Sequence, residues 1–243
     1  MSLIPLFVSC SRGVEPLLVT ELTALGAVDA REGRGGVRCQ ATLETAYRAC
    51  LWSRLASRVL LPLADFPFTG TGETPRPRAA SGGAPRRASV WGVVEEDDED
   101  PAPTEAVSDE AETTATPPVA ALNDAQAIYE AGSRIVWPEL FACDSRFAIE
   151  VAGRTPGIAN THFAGLKLKD AIVDGFRAAG FDRPSVDLES PDIRLHLHLG
   201  PRGGTISLDL AGDSLHRRGY RARGVEAPLK ENPAAAVLIR AGW

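Results

Sequence analysis

The sequence predicts an α+β chain in two ordered parts with a long insert between them. Helix-period and strand-period segments alternate from Leu3 to Leu63 and again from about Ala121 onward. Residues 68–120 follow neither period, and the charge imbalance of the chain is concentrated there. With 243 residues, the chain is long enough for one large domain or two small ones, each with a core of its own.

Leu3 to Ser9 reads as a buried strand. SRGVEPLLVTELTALG reads as a helix with Leu18, Leu22 and Leu25 along one face, Pro16 in its first turn and Gly26 as its stop. AVDAREGRGGVRCQ reads as a hairpin around Gly33–Gly36, and ATLETAYRACLW as a helix with Leu43, Ala46 and Cys50 on its buried side. RVLLPL is a further strand. The order strand, helix, strand, strand, helix, strand is the split βαβ of a ferredoxin-like domain, here over residues 1–67.

The insert, residues 68–120, begins Pro/Gly/Ala/Arg-rich and continues through EEDDEDPAPTEAVSDEAETTATPP, broken only by SVWGVV. Such a composition buries too little apolar surface to offset its chain entropy, so the segment is expected to be disordered. Residues 71–120 hold 11 acidic against 4 basic side chains, whereas the rest of the chain holds 21 acidic and 22 basic. The formal net charge of -6 thus belongs to the insert and does not argue against a polyanionic partner.

The second part is expected to span residues 121–222. LNDAQAIYEAGSRI carries helical spacing, WPELF reads as a short turn or helix, and RFAIEVAG is a strand with Phe147, Ile149 and Val151 on one face. In FAGLKLKDAIVDGFRAAG the buried stripe is Leu168, Ile172, Phe176 and Ala179, with Gly180 as the stop. IRLHLHLG and TISLDLAG alternate strictly about a turn at 201–204. Leu195, Leu197 and Leu199 take one face, while Arg194, His196 and His198 take the other, which is expected to be wet and basic. Residues 223–243 are a proline-marked connector and an Ala-rich helix, with Asn232 as cap and Pro233 as first helical residue.

Chemistry is harder to find. Cys10, Cys39, Cys50 and Cys143 form no CxxC pair, so reduced thiols in a cytoplasmic protein are expected, with neither zinc nor disulfides. The apolar N-terminus lacks a positive leading segment and is too short to span a membrane. His196 and His198 project together, but neither His162 nor His216 stands in ligand spacing with them, so no metal is expected. No GK[ST] follows a glycine-rich loop, and GxSxG does not occur. No catalytic residue is assigned in this chain.

The basic residues are the better lead. HRRGYRARG, residues 216–224, places Arg217, Arg218, Arg221 and Arg223 just after a strand, where functional side chains are displayed. Arginine forks pair with phosphate, and Tyr220 or His216 can stack on a base. The competing reading is a solvated turn, or arginines latched between domains by carboxylates. Lys167 and Lys169, read as lying near a helix start, add weight to phosphate binding. On the RNA reading, Lys167, Lys169, Arg194, Arg217, Arg218 and Arg221 grip backbone from one positive surface, with Tyr220 as a further RNA-binding residue.

The stretches FVSCSRGVEPLLVTELTALGA, LWSRLASRVLLPL, KLKDAIVDGF, SPDIRLHLHL, ISLDLAGDSLHRRGYR and APLKENPAAAVLIRAGW together resemble one family, in order. It is the THUMP-containing bacterial methyltransferases that modify a guanine of large-subunit ribosomal RNA. The resemblance covers nearly all of the chain except 68–120, and SLHRRGYR followed by APLKE is its most specific part. It implies a ferredoxin-like domain followed by a THUMP domain, an RNA-binding α/β module. It also implies a later Rossmann-type domain that uses S-adenosylmethionine to methylate the guanine exocyclic amine. In the family, the positions of Lys230 and Glu231 lie close to that cofactor domain, whose cofactor loop and catalytic motif have no counterpart in this sequence.

The partner implied is therefore large-subunit rRNA, with neither DNA nor a membrane. The full-length protein is expected to be an enzyme and this chain alone to be inactive. Two alternatives stand beside this: a stand-alone RNA-binding or assembly module, and a transfer-RNA guanine methyltransferase of the same build.

Overall fold

The computed structural model describes residues 2–68, 119–155, 157–158, 160–218 and 229–243, with side chains of the first helix of the second part described from Asp124 onward. Apart from Phe68, Val119 and Ala120, the expected disordered insert lies outside the described residues.

The first part runs β1 (Ile4–Ser9), α1 (Glu15–Ala24), β2 (Val28–Gly33), β3 (Gly36–Ala41), α2 (Leu43–Trp52) and β4 (Arg58–Pro67). Its strands lie in the antiparallel order β2-β3-β1-β4, which is the ferredoxin-like arrangement. Leu18 and Leu22 of α1 are fully buried, and Gly26, at φ +102, takes the left-handed turn that releases the chain into β2. Thr42 caps α2 by accepting the Thr45 N–H. The buried side of α2 is Ala46 and Ala49; Leu43, expected inside, is the first helical residue and is half exposed.

The second part runs α3 (Val119–Ser133), a one-turn 3₁₀ helix (Trp137–Glu139), β5 (Arg146–Gly153), α4 (Thr161–Ala178), β6 (Ser185–Val186), β7 (Ile193–Gly200), β8 (Gly203–Asp209) and α5 (Glu231–Arg240). Strands β5, β6 and β7 are parallel, and β7 turns back antiparallel into β8. Ala179 follows the last turn of α4 and is exposed, so the buried stripe ends at Phe176. Gly153 at the end of β5 has φ +86, and a Cβ there would fall 2.0 Å from the Leu199 carbonyl oxygen. Only glycine lets the chain leave the sheet at that point.

The two parts share one eight-stranded sheet, ordered β2-β3-β1-β4-β8-β7-β5-β6. Strand β4 makes the join. It pairs with β1 through residues 58–60 and with β8 along 60–67, with a bulge between Pro62 and Ala64. Phe68, assigned to the insert by its sequence neighbours, continues this strand into the second core, edge-on to Phe66.

Leu61 and Leu208 are register partners and so share a face. Leu61 packs in the first core, around Val8, Leu18 and Val59, and Leu208 packs against the second, around Trp137, Leu168 and Leu197. Both cores therefore lie side by side on one face of the common sheet. The other face carries Arg31, Arg38, Phe7, Leu60 and Asp209 along one register line and Glu150, His196, Ser207 and Pro62 along another.

Candidate nucleic-acid interface

The helix-free face of the second part is less wet than its alternation predicts. Ser207 and Asp209 are buried, and Arg58 of β4 reaches across the join to both Glu150 (2.8 Å) and Asp209 (2.5 Å). Arg194 meets Glu150 at 3.2 Å and Asp213 at 3.4 Å, with a side chain 19% exposed. Arg194 is thus neutralised by two carboxylates of its own fold. Burial raises the Asp209 carboxyl above its usual range, against the opposing pull of Arg58. Burial also pushes His196 down to about 4, helped by the charge of Arg58 and by His198. His196 stands neutral between these ion pairs, and its Nδ1 is buried with no hydrogen-bond partner among the described residues. His198 is lowered by burial first and by the Arg38 charge second, although its residue surface is exposed.

Arg218 answers the question raised by its neighbours. Its Nη1 donates to the Leu51 carbonyl, its Nη2 to the Ser53 carbonyl and its Nε to the Leu215 carbonyl, each at 2.9 Å. Leu51 belongs to the last turn of α2, where carbonyls lack helical donors, so a guanidinium there caps the helix. This arginine fastens the segment after β8 onto the first part through backbone carbonyls, not the carboxylates that the sequence suggested. Arg217 differs. It is exposed and makes no side-chain hydrogen bond or ion pair with the described residues. Ser214 Oγ and His216 Nδ1 lie 2.7 Å apart and pin the intervening turn. Tyr220, Arg221 and Arg223 lie outside the described residues.

Lys167 and Lys169 sit on α4, but not near its start. The helix begins at Thr161 with the Asn160 side chain as cap, so both lysines lie beyond the first turn, where the helix dipole has faded. What gathers charge there is a groove of about 480 Å³ between α3 and α4. Lys167 lies 3.2 Å from Asp170 and 5.6 Å over the Phe163 ring. Arg177 and Arg183 join the lysines along this groove, beside Tyr129, whose hydroxyl donates to Asp174. Neither arginine was singled out from the sequence. Arg177 shows only as a polar position of an amphipathic helix, and Arg183 lies in the irregular stretch before β6.

The last helix starts earlier than expected. Lys230 precedes it, Glu231 is its first residue, and Asn232 lies inside it as a buried donor to the Leu55 and Ala56 carbonyls. Asn232 is thus a tie to the first part and not a cap. Pro233 still falls in the first turn, where its missing N–H leaves no helical bond unmade.

Among the described residues no group of three or more His, Cys, Asp or Glu side chains is placed to hold a metal. No helix among them is long and apolar enough to cross a membrane. Burial pushes the Cys10 thiol up to about 12 and those of Cys39 and Cys50 to about 11, which leaves them protonated and unreactive. The residues present do not fit S-adenosylmethionine. The stretch from the end of β5 to α4, GRTPGIAN, holds no Gly-x-Gly pair that would let backbone close on a nucleoside, and Asp170 and Asp174 of the α3–α4 groove are engaged by Lys167 and Tyr129.

Two domain families match: the RlmL ferredoxin-like domain over residues 5–60 and the THUMP domain over residues 123–209. Ribosomal RNA large subunit methyltransferase K/L of Syntrophotalea carbinolica is 43% identical over 240 residues, covering 99% of this chain and 26% of the relative. The protein of the same name from Pseudomonas paraeruginosa is 41% identical over 238 residues, covering 98% and 25%. The chain thus spans about a quarter of the length of the curated relatives it matches. Two solved structures share the fold. SMU.472, solved in complex with SAH, has a TM-score of 0.65 at 20% identity, covering 100% of this chain and 50% of the other. TrmN from Thermus thermophilus has a TM-score of 0.56 at 19% identity, covering 99% and 55%. The chain carries an RlmL-type ferredoxin-like domain and a THUMP domain, joined through one sheet, and along nearly its whole length it is similar to about a quarter of the large-subunit rRNA methyltransferases K/L.

Proposed function

We propose that the chain is the RNA-recognition part of a cytoplasmic, S-adenosylmethionine-dependent methyltransferase acting on a guanine exocyclic amine of large-subunit rRNA. The observation that carries this reading is the match along 240 residues to a protein named as a large-subunit rRNA methyltransferase. S-adenosylmethionine supplies the methyl group when bound by the remainder of the full-length protein. This chain holds the substrate and transfers nothing by itself.

Within it, Arg217, Lys167 and Lys169 meet RNA phosphates, and Tyr220 and Arg221, which follow Arg217 in sequence and lie outside the described residues, are assigned to the same RNA contact. Arg194 and Arg218, already held by Glu150, Asp213 and three carbonyls, keep the frame in shape. Lys230 and Glu231, at the start of α5, face toward the catalytic part of the full-length protein.

The test is methylation by the full-length protein of deproteinised large-subunit rRNA and of tRNA, using S-adenosylmethionine labelled in its methyl group. The expected result is label in large-subunit rRNA, recovered as N2-methylguanosine. Label confined to tRNA, or none in either RNA, overturns the reading.

A further inference from the structure

A further groove among the described residues is on the helix-free face of the first part, away from α3 and α4. It has a volume of about 490 Å³, and Pro5, Phe7, Arg31, Arg38, Gln40 and Pro62 line its floor. Phe7 and Arg38 are register partners on β1 and β3, the two central strands of the ferredoxin-like half, and Arg31 is the partner of Arg38 on β2. A Cβ on Gly36 would come within 2.6 Å of the Phe7 ring, so the glycine leaves the seat on which that ring lies against the sheet. The Arg38 guanidinium carbon is 5.8 Å from the ring centroid. Arg31 and Arg38 are exposed, and among the described residues neither has a carboxylate within ion-pair distance.

We propose that this groove binds unpaired nucleotides of the RNA, a proposal that rests on the RNA reading of the chain and adds a second contact surface to it. The chemistry selects a nucleotide in three ways. Phe7, with the Arg38 guanidinium carbon 5.8 Å from its ring centroid, supplies an aromatic ring and a planar cation of the kinds on which splayed-out bases stack. Two arginines without acidic partners offer forks for the adjoining phosphates. Asp29, Asp65 and the Gln40 amide also line the groove and can accept from base amino groups.

A groove with both signs of charge is a poor track for a duplex backbone, which rewards uniform basicity, and a good one for single bases with their edges bare. RNA-recognition motifs, built on the same strand order, use the open face of the sheet in this way; that parallel is one of fold only.

The test uses this chain and the full-length protein, with a fluorescein-labelled unstructured RNA 12-mer and a blunt RNA duplex of equal length. Binding is read by anisotropy over a range of salt. Arg31→Ala/Arg38→Ala should weaken 12-mer binding about tenfold and lower the salt slope by about 1.4, as expected for two phosphates on a single strand, while duplex binding stays as in the wild type. Phe7→Leu should weaken 12-mer binding about fivefold with the slope unchanged, because stacking releases no counterions. Unaltered melting curves establish that both variants fold.

Lys167→Ala/Lys169→Ala separates the two ideas. If it weakens RNA binding while the Arg31/Arg38 and Phe7 variants bind the 12-mer as the wild type does, the groove is not an RNA site and the RNA reading stands. If the full-length protein ignores the groove variants and only the shorter chain responds, the face is a protein seat and the proposal is overturned. If the wild-type chain binds neither probe, both fall.

Discussion

Arg58→Met should cost this protein about 3–5 kcal/mol, the range for removing one partner of a buried ion pair. The number follows from what is left behind. Asp209, with a side chain 1% exposed, loses its one cationic contact among the described residues, and of these Glu150 keeps Arg194 alone. Methionine replaces the aliphatic stem of Arg58, so little packing is lost and the cost is electrostatic. Part of it is relieved by protonation. Burial already raises Asp209 with Arg58 present, and without that cation the folded-state pKa rises further.

A carboxyl whose folded pKa exceeds its unfolded value destabilises most once pH is above the folded pKa, and the penalty vanishes below the unfolded one. The deficit of Arg58→Met should therefore be full at pH 8 and shrink toward pH 4. At roughly 2–4 °C per kcal/mol for a fold of this size, the melting temperature at pH 8 falls by about 10 °C. Thermal melts at pH 4.5 and 8 check this, with Arg58→Met/Asp209→Asn as the control that removes the stranded charge and recovers most of the loss. A shift below about 2 °C at pH 8, or one independent of pH, would refute the argument that Arg58 compensates a buried Asp209.

Two further outcomes follow from the same geometry. His196, about 4 when folded against about 6.5 when unfolded, should withdraw about 3 kcal/mol as pH falls through that window, because only the unfolded chain takes the proton there; His196→Asn should flatten urea-denaturation stability between pH 7 and 5, and an unchanged slope would rule His196 out as the source. Arg218→Ala should lower stability by about 2 kcal/mol with the RNA salt slope unchanged, while Arg217→Ala should lower the slope by about 0.7–0.9 with stability unchanged, and the reverse pattern would exchange grip and latch.

The elements were legible where one physical period dominates. The strict alternation of Leu195, Leu197 and Leu199 and the spacing of Leu18 and Leu22 fix strands and helices because a single core face selects them. What the sequence conceals is the join. The pairing of β4 with β8 is made by residues some 140 positions apart, such as Asp65 with Thr205, and no local period encodes it. The sequence hides the placement of Phe68 for the same reason: glycines and threonines follow it, while its backbone N–H donates to the Arg202 carbonyl between β7 and β8 and its ring packs in the second core. Leu43 failed in the opposite way: a helix-period position at the first residue of α2 has no preceding turn to press it inward.

The site was legible as composition and not as arrangement. Counting arginines marks HRRGYRARG but does not separate Arg217 from Arg218, because the difference lies in which carbonyls stand opposite. Arg194 looked like part of a basic face until Glu150, 44 residues away, was seen to meet it. Arg31 and Arg38 drew no notice because two arginines seven apart in a hairpin are ordinary; the sheet order makes them neighbours and sets Phe7 between them and the join. A strand shared between the two halves has one more consequence. It fixes the Arg38 groove and the α4 groove on opposite faces of the same sheet, so an RNA that touches both must pass around an edge of it. Recognition by such a surface depends on how a strand is routed from one face to the other, and unpaired segments satisfy that more readily than a stiff duplex.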